Sequence, residues 1–188
     1  MKVLALDNLQ KVGIDVFTKE GVEVEVKGKM TPEELAAVIN QYDAVVVRGA
    51  TKATAPCFEN ASRIKVIGRA GSGTDNIDKV AATKKGVVVM NTPGGNTVTT
   101  GEHAVSLMMA LSRQIPQATA SMKAGKWEKN KFMGSEITDK VLGIVGLGAI
   151  GKVVADRALG LKMVVVAFDP YVSKEDAALL GVEMAPLD

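Results

Sequence analysis

The sequence predicts an α/β protein made of two successive parallel-sheet parts, and three observations predict it. Short apolar runs alternate with helix-spaced segments from Val3 to Val89. Proline and paired glycines in Asn91-Thr92-Pro93-Gly94-Gly95-Asn96 then interrupt the alternation. A second strand–turn–helix–strand succession begins at Val141. Strict alternation of strands and helices implies parallel strands, with crossover helices covering both sheet faces.

In the first part, Val3–Leu6 reads as a buried strand. Leu9–Lys19 has helical apolar spacing at Leu9, Val12, Val16 and Phe17, and Gly21 stops it. Val22–Val26 alternates valine with glutamate, as a half-buried or edge strand does. Thr31-Pro32-Glu33-Glu34 combines a capping threonine, a proline in the first turn and a glutamate that completes a capping box, so a helix is expected from there to about Asn40. Strand Ala44–Val47, helix Ala55–Ala61, strand Lys65–Gly68, helix Asp78–Lys85 and strand Val87–Val89 follow. This is a small flavodoxin-like, doubly wound parallel-sheet domain, expected over residues 1–97. Beyond it, Thr100–Arg113 reads as a long helix rich in Ala, Leu and Met, and a polar, basic stretch runs from Gln117 to Lys131. Strand Val141–Val145, helix Ile150–Leu161, strand Met163–Phe168, helix Lys174–Leu180 and strand Val182–Ala185 make up the first half of a Rossmann domain, expected over 98–188.

With 188 residues, 47% of them apolar, the chain can bury a sizeable core. A net charge of +2 gives no reason to expect nucleic acid or a membrane surface as partner. The single cysteine, Cys57, cannot form an internal disulfide, which fits a cytoplasmic protein, and it reads as a small residue on a helix. The start of the chain lacks a signal peptide, and no stretch is long and apolar enough for a membrane span. No metal-ligand pattern stands out.

The chemistry is most legible at Gly146-Leu147-Gly148-Ala149-Ile150-Gly151, directly after a strand and opening a helix. Gly146 suits the tight bend, Gly148 lets the backbone approach a pyrophosphate, and Gly151 lets helix and strand pack closely. The amides of Ala149 and Ile150 would present unpaired N–H groups and a partial positive charge to phosphate oxygens. Asp169 ends the second strand, 18 residues beyond Gly151. A carboxylate there accepts hydrogen bonds from ribose hydroxyls and repels an added 2′-phosphate, so NAD is the expected cofactor rather than NADP.

On the substrate side, Arg69-Ala70-Gly71-Ser72-Gly73-Thr74-Asp75-Asn76-Ile77-Asp78 follows a strand, and so does Arg48. Ligands of open α/β sheets bind beyond the carboxyl ends of the strands, which puts both segments on the binding side. From the residues alone, a surface ion pair fits Arg48 better than an anion ligand. The Gly71–Gly73 loop fits a structural turn as well as a cradle of amides for a carboxylate or phosphate. His103, the only histidine, lies early in the long helix and is not expected to be catalytic.

Together, Val47-Arg48 with Thr51-Lys52, Gly68–Asp78, Val89–Pro93, Arg113–Lys123, Lys126–Gly134 and Gly143–Gly151 resemble the D-isomer-specific 2-hydroxyacid dehydrogenases over almost the whole chain. The stretch Arg113–Gly134, with Gln114-Ile115-Pro116-Gln117-Ala118, points to the branch that oxidises 3-phosphoglycerate. The resemblance implies a substrate domain followed by an NAD domain, with a cleft between them. It implies that Gly71, Ser72 and Gly73 face the substrate carboxylate, with Ser72 also near the nicotinamide. It further implies that Arg48 engages the phosphate end, that Asn96 belongs with the substrate-binding residues, and that Lys129 reaches a partner subunit's site. A homodimer or higher homo-oligomer is expected, formed through the segment after Thr100. The family's catalytic arginine, glutamate and histidine lie later than Asp188, so no catalytic residue is assigned and the chain reads as an N-terminal fragment that is inactive alone. Two other readings stay open: a relative acting on another 2-hydroxy acid such as glyoxylate, and a non-catalytic NAD-binding or assembly module.

Overall fold

Val3, Leu4, Ala5 and Leu6 are all fully buried, as befits a strand inside a sheet covered on both faces. The computed structural model, which describes Met1–Asp188, puts this strand in the interior of a sheet. β1 (Lys2–Ala5) pairs in parallel with β2 (Glu23–Val26) on one side and β3 (Ala44–Val47) on the other. β4 (Val66–Arg69) and β5 (Val88–Asn91) extend the sheet in the order β2-β1-β3-β4-β5. Contacts divide the chain into two units, Met1–Gly95 and Asn96–Asp188.

In the first unit, α2 (Pro32–Val38), α3 (Ala55–Glu59) and α4 (Lys79–Lys84) close one face of the sheet. Leu35, Ile39, Cys57, Phe58 and Ala82 pack there on Leu4, Val45, Val47 and Ile67. The opposite face carries α1 (Lys11–Lys19), whose Phe17 borders a hollow of about 360 Å³ with Val46, Val66, Gly68 and Met90. The apolar spacing of α1 points to Val12 and Val16, yet both are exposed, and the helix instead half-buries Gly13, Ile14 and Phe17.

α2 starts as its sequence requires. Thr31 Oγ1 accepts the Glu34 N–H at 3.2 Å, and Glu34 Oε2 accepts the Thr31 N–H at 2.8 Å. Thr31→Ala is expected to cost this unit about 1 kcal/mol. Urea unfolding of the variant beside the parent checks it, and an unchanged midpoint would show that the cap contributes nothing here.

The second unit carries a parallel sheet in the order β6-β7-β8, from β6 (Val141–Val145), β7 (Val164–Phe168) and β8 (Glu183–Met184). Its helices are α5 (Thr97–Ser112), α6 (Ile115–Lys123), α7 (Ala149–Gly160) and α8 (Lys174–Leu179). Leu147, Ala155, Ala158, Val165 and Ala167 form the centre of its core. α5 approaches α7 through Gly101, where a Cβ would stand 2.6 Å from Val153 Cγ1. The expected start of α5 at Thr100 lies three residues late, because Thr97 already follows the break at Gly94-Gly95. α6 was not expected from its polar composition. Gln114, in the left-handed region at φ 52°, ends one helix and starts the next, and Pro116 falls in the first turn of α6, where its missing N–H costs nothing. No helix is long and apolar enough to cross a membrane.

Candidate functional site

The carboxyl ends of β3 and β4 carry the candidate substrate residues. Arg48 follows β3 directly, and its backbone is held from three directions. Its N–H donates to Asp7 Oδ2 at 2.9 Å, while its carbonyl accepts Arg69 Nε at 3.1 Å and Asn76 Nδ2 at 3.0 Å. The Arg48 side chain is exposed and its guanidinium makes no ion pair. Of the two readings open from sequence, the surface salt bridge is therefore absent, and a free cation stands on a fixed backbone.

Asp7, which sequence reading did not single out, anchors this segment. The residue is 7% exposed. Oδ2 also accepts the N–H groups of Ala50 at 3.2 Å and Thr51 at 3.0 Å, and Oδ1 accepts the Thr51 hydroxyl at 2.6 Å. Burial alone would raise the Asp7 pKa. The Thr51 hydroxyl and the amides of Thr51, Arg48 and Ala50 outweigh it together and hold the carboxyl below the ordinary aspartate value. The group contributes its stability above the unfolded aspartate pKa and loses it as pH falls through the lower folded value.

Gly71, Ser72 and Gly73 form the loop after β4, and Arg69 lies beneath it. Arg69 Nη1 pairs with Asp75 at 3.1 Å, and a Cβ on Gly73 would come within 2.5 Å of that same nitrogen. A side chain at 73 would have to push aside the end of the Arg69 side chain. The Gly71 amide is not available to a ligand, contrary to the expectation of outward-turned amides on both sides of Ser72. It donates to the Arg69 carbonyl at 2.9 Å, and the Gly71 carbonyl accepts the Thr92 N–H at 3.0 Å. The Ser72 hydroxyl reaches the Thr92 carbonyl at 3.4 Å, and the Ser72 carbonyl accepts Asn91 Nδ2 at 2.6 Å. Cys57 is buried in α3 with its thiol directed at the Pro32 carbonyl, 3.2 Å away, a packing role.

In the second unit, the glycine turn links β6 to α7. Gly146 has φ 97°, a conformation that glycine alone adopts cheaply. A Cβ on Gly151 would overlap the Gly146 carbonyl oxygen, whereas one on Gly148 would meet nothing within 4 Å. Gly151 is therefore fixed by packing. Gly148 stands over open space, which is what close approach of a ligand to the backbone needs. α7 begins at Ala149 with no side chain capping it, so the first amides, including that of Ile150, are left to an outside acceptor. Asp169 locks the turn: Oδ2 accepts the Leu147 N–H and Oδ1 the Tyr171 N–H, both at 2.8 Å. Each oxygen retains a further lone pair. Lys129 is exposed in a single turn, Lys129–Lys131, and Asn96 is the residue from which α5 starts. His103 is exposed on α5.

Known proteins resemble this chain over its whole length. Residues 3–178 match the D-isomer specific 2-hydroxyacid dehydrogenase catalytic domain. The chain is 50% identical over 188 residues to the D-3-phosphoglycerate dehydrogenase of Archaeoglobus fulgidus, covering 100% of itself and 36% of that relative. It thus spans little more than a third of the length of the relative it matches. Among solved structures, it superposes on apo D-lactate dehydrogenase from Escherichia coli with a TM-score of 0.81 and 28% identity, covering 100% of this chain and 60% of that one. The NAD-dependent formate dehydrogenase of Staphylococcus aureus, solved with NAD, gives a TM-score of 0.86 at 25% identity, covering 100% of this chain and 61% of that one. From the extent of the family match and the 50% identity, the chain belongs to the D-isomer specific 2-hydroxyacid dehydrogenase family.

Proposed function

We propose that this chain supplies the substrate-recognising unit and the first half of the cofactor unit of an NAD-dependent D-3-phosphoglycerate dehydrogenase. That reaction yields 3-phosphohydroxypyruvate and opens the phosphorylated route to serine. The name of the relative from Archaeoglobus fulgidus supports the substrate. The observation that carries the reading is the turn at Gly146–Gly151, with its uncapped α7 amides and with Asp169 at the end of β7. Bound there, NAD would supply the hydride acceptor for C2 of the substrate. In this reading the amides of Ala149 and Ile150 hold the pyrophosphate and the remaining lone pairs of Asp169 hold the ribose hydroxyls. Ser72 and Gly73, with Asn96, border the carboxylate end, and Arg48 binds the phosphate end. Lys129 adds a second cation toward a partner subunit in a cytoplasmic homo-oligomer.

Asp169→Ala is expected to weaken NAD binding roughly tenfold, the scale of hydrogen bonds to a charged group, and to narrow the preference over NADP. Calorimetric titration of both cofactors tests this, and unchanged NAD affinity would remove the ribose assignment. Binding of 3-phosphoglycerate beside D-glycerate separates the phosphorylated substrate from other 2-hydroxy acids. Arg48→Ala should weaken the first ligand and leave the second unaffected.

A further inference from the structure

Asp7 is a buried carboxylate without a cation. Its four partners are the amides of Arg48, Ala50 and Thr51 and the Thr51 hydroxyl, all in one loop and more than 40 residues away along the chain. Asp7 lies in the left-handed region at φ 59°, and Asn8 follows at φ 54°. The chain leaving β1 is thus bent to bring this carboxylate under the loop that follows β3. All three amides converge on one oxygen, Oδ2, which on a neutral side chain would carry no full charge. A full charge held among three amides and a hydroxyl gives stronger, shorter bonds and a more rigid loop. The negative charge is spent on backbone dipoles and does not pair with the Arg48 guanidinium, which remains free.

We infer that Asp7 is a positioning residue for Arg48, fixing the backbone from which the guanidinium reaches the anionic end of a substrate; this rests on the anion-binding role proposed above for Arg48. The next peptide, through the Arg48 carbonyl, is held by Arg69 and Asn76, and Asn76 Nδ2 also ties down the Thr51 carbonyl at 2.7 Å. With the loop ordered beforehand, a ligand meets a cation whose backbone ordering has already been completed in folding. Asp7 itself touches no ligand in this arrangement.

A double-mutant cycle on the 188-residue chain tests the inference, with 3-phosphoglycerate as the titrated ligand and thermal unfolding recorded for every variant. Arg48→Ala is expected to weaken binding roughly tenfold or more. Asp7→Asn leaves one uncharged carbonyl oxygen for the three N–H donors and sets an amide nitrogen against the Thr51 hydroxyl, and is expected to weaken binding roughly five- to tenfold. The double variant should bind no more weakly than Arg48→Ala alone, because Asp7 acts only through Arg48. Losses that multiply, or a folded Asp7→Asn chain that binds like the parent, overturn the inference while leaving the role of Arg48 intact. A parent chain that does not bind the ligand, or an Arg48→Ala variant that binds equally well, overturns the anion-binding reading and this inference with it. If Asp7→Asn unfolds the unit, Thr51→Val runs the same cycle. It removes the hydroxyl that Asp7 accepts, and also the acceptor of the Met30 N–H at 3.2 Å, while the carboxylate and its three amides remain.

Discussion

Gly151→Ala is expected to destabilise the second unit severely and to abolish cofactor binding, although it adds only one methyl group. That methyl would overlap the carbonyl oxygen of Gly146, a backbone atom in a turn already at φ 97°. No side chain can swing away to relieve the overlap. Either the start of α7 lifts off β6, or the turn opens and the uncapped amides lose their alignment. Overpacking typically costs roughly 1–3 kcal/mol, and a clash between two pieces of backbone belongs at or above the top of that range. Gly148→Ala is the informative contrast, because its Cβ meets nothing within 4 Å. That variant should unfold close to the parent, with its defect confined to ligand approach. Denaturant unfolding and NAD calorimetry on the two variants check both halves. A Gly151→Ala chain as stable as the parent would mean that the turn has slack the geometry denies it.

Phe58→Ala should produce a comparable loss in the first unit, for a different reason. α3 has five residues and no side-chain cap, too little to persist on local hydrogen bonding. It is held by what it buries: Phe58 and Cys57 are each 1% exposed in the core shared with α2 and the sheet. Truncating a buried phenylalanine costs roughly 3–5 kcal/mol, a large part of the roughly 5–15 kcal/mol that stabilises a typical domain. Urea unfolding followed by circular dichroism measures it. A loss below about 1 kcal/mol would show that the core collapses around the missing ring, and that α3 is held by something else.

How much of this was legible in the sequence depended on the range over which each signal acts. The capping box at Thr31 and Glu34 and the turn at Gly146–Gly151 are local patterns, and the structure places their elements where the residues put them. The burial of β1 was legible because an unbroken apolar run needs cover on both faces. The inward face of α1 was misjudged from spacing alone, since its valines at 12 and 16 are exposed. α6 was missed because its polar composition hid a start signal that lies in one left-handed residue and a first-turn proline. Asp7, Arg69 and Asn76 were missed as determinants of the site because their partners are distant in sequence. Asp7 carries no local signal, and only the pairing of β1 with β3 brings it to Arg48.

The order β2-β1-β3-β4-β5 also sets a timetable for a chain leaving the ribosome. β1 is made first, yet it lies inside the finished sheet and depends on neighbours on both sides. β2 arrives first, and its Glu23 and Glu25 reach Lys2 at 3.7 and 3.0 Å, giving the nascent parallel pair a charged rim. The other flank of Val3, Leu4 and Ala5 waits for Ala44–Val46, some 40 residues later. At a synthesis rate of roughly 5–20 residues per second that gap is about 2–8 seconds, long beside helix formation, loop closure or chain collapse. From β3 onward each new strand finds a free edge already laid down, so β4 and β5 can pair almost as they emerge. The stretch most exposed to chaperones and to misassociation during synthesis is therefore the one that ends up most deeply covered.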